Sequence, residues 1–456
     1  MHRSLKDRGG ASWMSSDPRI LVAAGLLIAA VCFGGGGSGA GAANLVVQLA
    51  ALAGLAFHKR SVLEFFRHAP RLSAIVVVVT LLLPLLQCIP LPPVVWQQLP
   101  GRDLAVQSLE LVGRQDTWMP FSLNVRRTFI AFLALMPSLG MLVLTWRASD
   151  ADRRFLLAIL VCCGVVVIML GAQQLAFGNR QFVLYAQGVG SQDLQGTFAN
   201  RNTAGLFTDV VLCALIGLLW RPRLSVLHLL VGIVAGVLLG LGLFLTRSRS
   251  SMTLVAIPAA MLAMYLWNSR QALLTHRSRL IALTVGVAVV GISAGLLMHN
   301  ARIQRSLLRF DSMQDARLAI WQDTQSSIAR FWPVGSGIGT FDEVFQIDES
   351  LENLTPGRAA RAHNEYLETT LESGILGPIL VSSWIVIIAT AAWRGIRSAT
   401  DRGARVAALA VFILLAFQSI LDYPLRSQTL LCVAGLMFGI LIARTSAETN
   451  VGVRKR

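Results

Sequence analysis

Residues 155–177 read Phe-Leu-Leu-Ala-Ile-Leu-Val-Cys-Cys-Gly-Val-Val-Val-Ile-Met-Leu-Gly-Ala-Gln-Gln-Leu-Ala-Phe, without a single charge, directly after Arg153 and Arg154. About 20 apolar residues in a row cover the hydrocarbon core of a bilayer as a helix. The run is continuously apolar and lacks the two-residue alternation of a barrel strand. Working outward, similar runs fall at 20–40, 42–57, 72–91, 128–145, 203–220, 227–245, 252–267, 280–299, 374–393, 406–421 and 429–443. The expected fold is therefore all-α, a polytopic membrane protein of about 12 transmembrane helices. Composition agrees: of 456 residues 54% are hydrophobic and 14% charged, where soluble domains carry about 25% charge. A soluble enzyme is excluded.

The net charge of +16 raises nucleic acid as a partner, and the location of the charge removes it. With the N-terminus cytoplasmic, the inner segments are 1–19, 58–71, 146–154, 221–226, 268–279, 394–405 and 444–456. They hold 24 basic and 7 acidic residues, against 16 basic and 17 acidic elsewhere. That is the positive-inside asymmetry, which places both termini in the cytoplasm and leaves membrane lipids, not nucleic acid, as the partner. The first run has a basic leader and small residues after it, as a signal peptide has; it is read as a retained helix. All six cysteines lie in apolar runs, with neither a disulfide framework nor metal spacing.

Three outer segments are long, at about 92–127, 178–202 and 300–373. The last is large enough for structure of its own, as a partly helical periplasmic loop. Arg302–Arg330 has the periodicity of an amphipathic helix on or near the interface. His363–Gly374 is expected to run as a helix into the tenth span. The chain divides into an N-terminal membrane region, 1–150, with the 92–127 loop, a membrane domain, 155–443, and a tail, 444–456. No inner segment holds a nucleotide-binding domain. Asp150-Ala-Asp152 matches a metal–sugar-nucleotide pattern but has no domain around it. Gly335-Ser-Gly-Ile-Gly339 is a turn that can approach an anion, without the preceding strand a dinucleotide site needs. Asp342, Glu343, Asp348, Glu349 and Glu352 admit a divalent-cation site or a solvated face, and the second is preferred.

The same loops carry a signature. Gly335-Ser-Gly-Ile-Gly-Thr-Phe341, then Ala362-His-Asn-Glu-Tyr-Leu-Glu368, then Gly374-Ile-Leu-Gly377 resembles the core of the O-antigen ligase-like superfamily. Gly196-Thr-Phe-Ala-Asn-Arg-Asn202, Ser248-Arg249-Ser250 and Asp422-Tyr-Pro-Leu-Arg426 agree with it in order. The resemblance covers roughly 155–443; the first 150 residues match only through Leu99-Pro-Gly-Arg102 and Trp118–Leu123. It implies an inner-membrane, inverting, metal-independent glycosyltransferase without a cofactor. Such an enzyme moves a preassembled glycan from undecaprenyl pyrophosphate to an acceptor hydroxyl, on lipid A-core or on a lipid-linked repeat. The active site would be periplasmic.

Such a transfer needs a base at the acceptor hydroxyl and cations around the departing pyrophosphate. His299 and His363 are the histidines near the outer side, and His299 reads as a helix-end residue. His363, inside the signature, is the candidate base, a role worth roughly 10²–10⁴ in rate. Arg249 and Arg247 stand at the edge of the seventh span, where arginines are costly and usually functional, and Arg binds phosphate bidentately. Arg249 and Arg317 match the family's arginines, and each well-placed donor on developing charge supplies about 3–4 kcal/mol. Arg247, Asn364, Glu365, Asn200, Arg201 and Arg426 are candidate substrate-binding residues. Asp422 and Arg426 either pair locally or line the cavity. Asp209, inside the sixth span, is read as salt-bridged to a neighbouring Arg, or as the proton-coupling group of the alternative reading, a lipid-linked oligosaccharide flippase or secondary transporter. Against that alternative stand the lack of an inverted repeat and the concentration of signature residues on one side.

Overall fold

The computed structural model describes residues 15, 17–221, 224–268, 317–353, 359–398 and 401–443. The expected span at 280–299, His299, the leading part of Arg302–Arg330 and the tail 444–456 lie outside the described residues. Along the chain, α1 (Pro18–Phe33) ends in a 3-10 turn at Gly34–Gly39 and is followed by α2 (Gly41–Phe57), α3 (Lys59–His68) and α4 (Arg71–Gln87). Then come β1 (Pro90–Leu91), α5 (Pro93–Trp96), α6 (Asp103–Leu111) and β2 (Met119–Pro120), with β1 antiparallel to β2. Next are α7 (Val125–Ala134), α8 (Met136–Thr145), α9 (Asp150–Ala176), α10 (Arg201–Leu219), α11 (Val226–Leu245), α12 (Arg249–Leu254) and α13 (Ala256–Asn268). After the gap come α14 (Arg317–Phe331), α15 (Phe341–Asp348), α16 (Glu365–Ser373), α17 (Leu376–Ser398), α18 (Arg402–Leu421) and α19 (Gln428–Ile442).

Among the described residues, 8 helices are long and apolar enough to cross a membrane, with α7–α8 and α12–α13 each counted once. The protein is thus an all-α polytopic membrane protein. The count rises to 9 if α2 and α3 form one span, but they meet at a bend of 79°. The bend has a chemical cause. α2 is apolar throughout, whereas Lys59, Arg60, Glu64 and Arg67 make α3 amphipathic. Phe65 of α3 packs edge-on against Trp146, and Arg147 pairs with Glu64 at 2.7 Å. α4 and α19 are apolar but shorter.

The core is built on close helix pairs. α19 lies along α8, and α10 along α18. A Cβ on Gly435 would stand 2.3 Å from the Ser138 carbonyl oxygen, and one on Gly439 2.4 Å from the Thr145 hydroxyl. Without a hydrophobic drive between helices in lipid, such small-residue contacts give the dispersion energy that holds them. α1 belongs to this core: Ile20, Ala23, Leu27 and Ala30 are buried, and the Thr429 hydroxyl donates to the Ala30 carbonyl at 2.6 Å. At the end opposite the site, Arg154 pairs with Asp401 at 3.0 Å and Arg405 donates to the Ala443 carbonyl at 2.8 Å. Asp150-Ala-Asp152 is helix-initiating. Ser149 and Asp152 form the capping box of α9, and Asp150 pairs with Arg153.

At the other end stands a lobe with its own small core of Phe331, Phe341, Val344, Phe345, Ala362 and Leu371. Two expectations change here. α14 does not present a simple apolar face: Asp323, Thr324 and Ser327 are on its buried side, while Leu318 is exposed. Asp323 accepts from the Ser350 hydroxyl at 3.0 Å and Ser327 donates to Asp348 at 2.6 Å, so polar contacts seat the helix in the lobe. Nor does the helix after His363 run unbroken into the membrane. It stops at Gly374, whose φ of 56° leaves the helical region, and whose missing Cβ would stand 2.0 Å from the Pro333 carbonyl oxygen.

Candidate active site

The glycine turn positions the site instead of forming it. Gly335, Gly337 and Gly339 all have positive φ, and a Cβ on Gly337 would reach 2.3 Å from the Ser122 hydroxyl. Its amides are already engaged: Ser336 N–H donates to Leu371 at 3.0 Å, Gly337 N–H to Glu372 at 2.9 Å, and Ile338 N–H to the Gln87 side chain at 2.8 Å. Gln87 also donates to the Glu372 carbonyl at 3.1 Å. The expected anion-approaching turn is thus a clasp joining α4, the 122–128 segment and α16. The acidic group beside it is mostly ion-paired: Arg127 binds Asp342 at 2.8 Å and Glu343 at 2.7 Å, and Arg330 binds Asp348 at 3.0 Å. That pairing accounts for those carboxylates without a cation.

Arg249 and Arg317 come together. They line one cavity of about 420 Å³ with Ser250, Thr253, Leu254, Phe417, Ile420 and Leu421. Its walls, from α12 and α18, are largely apolar, so it has the form of a site for a molecule with an anionic head and an apolar tail. Ser248 caps α12 by accepting from the Ser251 amide and so fixes the start of the helix that carries Arg249.

His363 contacts Asp422, the residue that follows Leu421 of the cavity wall. His363 Nδ1 is 3.3 Å from Asp422 Oδ1, and its ring packs on Tyr423 with centroids 5.1 Å apart. Asn202 Nδ2 donates to the other Asp422 oxygen at 2.9 Å, and the Ser248 hydroxyl donates to Asn202 Oδ1 at 3.1 Å. A hydrogen-bonded line therefore runs from His363 to the residue preceding Arg249. His363 has φ of 49° and Arg247 φ of 55°, left-handed values that side chains other than glycine adopt seldom. Such local strain clusters at functional sites. Burial pushes the Tyr423 phenol up to about 12, with Asp422 adding to it.

The remaining candidates fall into two groups. Arg201 and Arg247 share Asp193, at 2.9 and 3.3 Å, and Asn200 caps α10 by accepting from the Asn202 amide at 2.8 Å. Asn364 caps α16, accepting from the Tyr366 and Leu367 amides. Glu365, Glu368 and Glu372 share a face of α16 and converge on Arg426. Its guanidinium lies 3.9 Å from Glu365, 3.0 Å from Glu368 and 2.8 Å from Glu372. Arg361 adds a second cation 2.6 Å from Glu368. Burial pushes Glu365 up to about 7, although Arg426 opposes it and Glu368 adds to it. Burial also raises Glu372, whereas in Glu368 it is outweighed by Arg361 and Arg426, which hold that carboxyl low. Burial opposes charge on Arg426 too, and the three carboxylates more than offset it, holding its proton tightly. Asp422 and Arg426, four residues apart, serve different partners.

Asp209 is fully buried, and neither oxygen has a hydrogen-bond partner among the described residues. The expected salt bridge is not found among the described residues. Sequence reasoning missed Asp193, although it is the lone carboxylate of the 178–202 segment. It also missed Glu368 and Glu372, although three glutamates spaced three and four apart on a short helix beside a membrane require a cation.

Fold and site define a polytopic helical membrane protein with a two-arginine cavity and a histidine that contacts Asp422, next in sequence to the cavity wall. Residues 234–382 match the family model described as O-antigen ligase. That stretch is similar to the O-antigen ligase family, as the resemblance of its motifs implied, and the similarity supports a ligase- or polymerase-type function in general. No curated protein matches the chain. The matched stretch runs from α11 into α17 and includes Arg249, Arg317, the glycine turn and His363. Asp193, Asn202, Asp422 and Arg426 fall outside it.

Proposed function

We propose that the protein is an inverting, metal-independent glycan ligase or polymerase of the inner membrane, with its site facing the periplasm and both termini in the cytoplasm. The donor is a glycan on undecaprenyl pyrophosphate, and the acceptor a hydroxyl of lipid A-core or of a second lipid-linked repeat. The positive-inside charge distribution supports the orientation. The observation that carries the reading is the cavity that Arg249 and Arg317 line with apolar residues of α12 and α18.

In this reading Arg249 and Arg317 hold the pyrophosphate, the apolar wall accepts the first part of the polyprenyl chain, and Arg247 with Arg201 extends the cationic rim through Asp193. If the Nδ1 proton of His363 points to Asp422, Nε2 is left to take the proton of the acceptor hydroxyl. The acceptor oxygen attacks the anomeric carbon from the face opposite the pyrophosphate. The carbon–oxygen bond to pyrophosphate breaks, its electron pair leaves with the phosphate, and the configuration inverts. Asn200, Asn364, Glu365 and Arg426 are positioning residues: they fix the starts of α10 and α16 and hold the turn before α16 that carries His363.

The test is transfer of labelled glycan by purified protein in liposomes holding donor and acceptor. His363→Ala is expected to lower the rate roughly 10²–10⁴-fold, and Arg249→Ala or Arg317→Ala about 10²–10³-fold. Wild-type transfer by all three variants, each shown to be folded and inserted, would sink the reading.

A further inference from the structure

The segment between α4 and α7 holds its apolar side chains outside. α6 has no buried residue, Leu111 at its end is 88% exposed, and Val94 and Trp118 are 72% and 61% exposed. Val112 and Leu104 are exposed as well. A monomeric soluble surface seldom carries large apolar residues grouped this way without a partner.

The segment is rigidly built all the same. β1 pairs with β2, the buried Trp96 donates to the Thr117 carbonyl at 3.0 Å, and Gln97 donates to the Gln115 carbonyl at 2.8 Å. Arg102 is buried, donates to the Phe121 carbonyl, and lies 5.9 Å from the ring centres of Phe121 and Phe331. Burial lowers its affinity for its proton to a pKa of about 10. The Arg102 side chain is spent inward on fixing the segment, while Val94, Leu104, Leu111, Val112 and Trp118 stay exposed beside the polar Asp103, Gln107, Ser108 and Glu110.

The segment is bounded by apolar helices on both sides. Leu86 and Ile89, at the end of α4, and Phe129, one turn into α7, are exposed on helices placed at the membrane. The segment joins those two ends. Leu104 and Leu111, seven apart, lie on one side of α6 with the exposed Gln107 and Ser108 on the turn between them, while Asp103 and Glu110 are turned aside. A short helix with an apolar ridge, polar flanks and a neighbouring Trp is the arrangement that rests in the headgroup–acyl boundary, its ridge buried about 5–10 Å.

We propose that α6 and its flanking turns are a membrane-interface element: Leu104, Leu111, Val112 and Trp118 insert into the leaflet on the side of the site. The occupant is phospholipid acyl chain, and the element sets the height of the lobe above the bilayer. The inference holds whether or not the protein transfers glycan.

The test places a nitroxide on single cysteines at 111, 112 and 118, and at the exposed Glu352 for comparison, in the full chain in phosphatidylethanolamine–phosphatidylglycerol liposomes. The wild-type chain, whose own cysteines lie in or at the ends of apolar helices, is labelled in parallel as the blank. Relaxation by oxygen, which concentrates in lipid, is compared with relaxation by a water-soluble nickel chelate. Oxygen is expected to dominate at 111, 112 and 118, and nickel at 352. Nickel dominance at all three positions would overturn the proposal in favour of a solvated loop. Exclusion of both reagents would overturn it in favour of a protein partner. Leu111→Glu with Val112→Glu, read by oxygen at 118, gives an independent check: the accessibility ratio at 118 is expected to turn towards nickel, and an unchanged lipid-like ratio would count against insertion of the ridge.

Discussion

Arg426 and the Arg249–Arg317 pair stand at the same end of the helix bundle, and their surroundings separate them. Arg426 is enclosed by three carboxylates of α16, at 2.8 to 3.9 Å. Arg249 and Arg317 are partly exposed and line a cavity whose other walls are largely apolar. A guanidinium already saturated by carboxylates has little left for a phosphate, because a new anion would have to displace them. Arg249 and Arg317 differ in that both line a cavity an anion can enter. Residue type alone does not separate the two settings; three enclosing carboxylates in one and a cavity wall in the other do.

The comparison breaks most visibly through stability. Arg426→Ala leaves three glutamates facing one remaining cation, Arg361, and breaking a buried pair of this kind costs about 3–5 kcal/mol. The variant is expected to lose most of its folded yield in detergent, and more of it than Arg249→Ala does. Equal melting of the two variants would mean that the carboxylate cluster contributes little. A smaller effect sharpens the same contrast. The Glu365 carboxyl is raised to about 7 by burial, so its protonated form favours the folded state. That contribution is fully present below the ordinary carboxylate range near pH 4.5 and is lost as pH rises through about 7. Glu365→Gln is expected to flatten the loss of thermal stability between pH 5 and 8. An unchanged slope would mean that Glu365 does not titrate there.

Much of the fold is legible in the sequence because lipid demands long apolar helices, and runs such as 155–177 announce themselves. The bent α2–α3 pair was less visible. A single run at 42–57 looks like a span, and only the charges of α3 show that the chain turns along the surface. The candidate site was legible only as separate motif residues, such as His363 and Arg249. It was not legible where pairing joins distant segments. His363 meets Asp422 across 59 residues, and Asn202 meets the same carboxylate across 220. The glycine turn was misjudged for the opposite reason. Positive φ at Gly335, Gly337 and Gly339 suits a turn open to an anion or one crowded by protein, and only the neighbouring Ser122 and Gly374 decide for crowding.

The family match ends at residue 382, yet Asp422 and Arg426 complete the surroundings of His363 from beyond it. The first helices contribute as well: a Cβ on Gly35 would meet the Thr197 carbonyl oxygen at 2.1 Å, and the Ala199 amide donates to the Gly35 carbonyl at 3.1 Å. The segment leading to Asn200 thus rests on the N-terminal region, and the site is shared by parts of the chain that differ in how plainly they announce their role.

The central claim is that pyrophosphate is held by Arg249 and Arg317 and not by Arg426. Its most direct test is binding of a short-chain polyprenyl pyrophosphate to the purified protein in nanodiscs, measured for the wild type, the Arg249→Ala/Arg317→Ala double variant and Arg426→Lys, which keeps the charge. Binding is expected in the wild type and in Arg426→Lys, and its loss is expected in the double variant. Retained binding in a folded double variant, or loss confined to a folded Arg426→Lys protein, would contradict the claim.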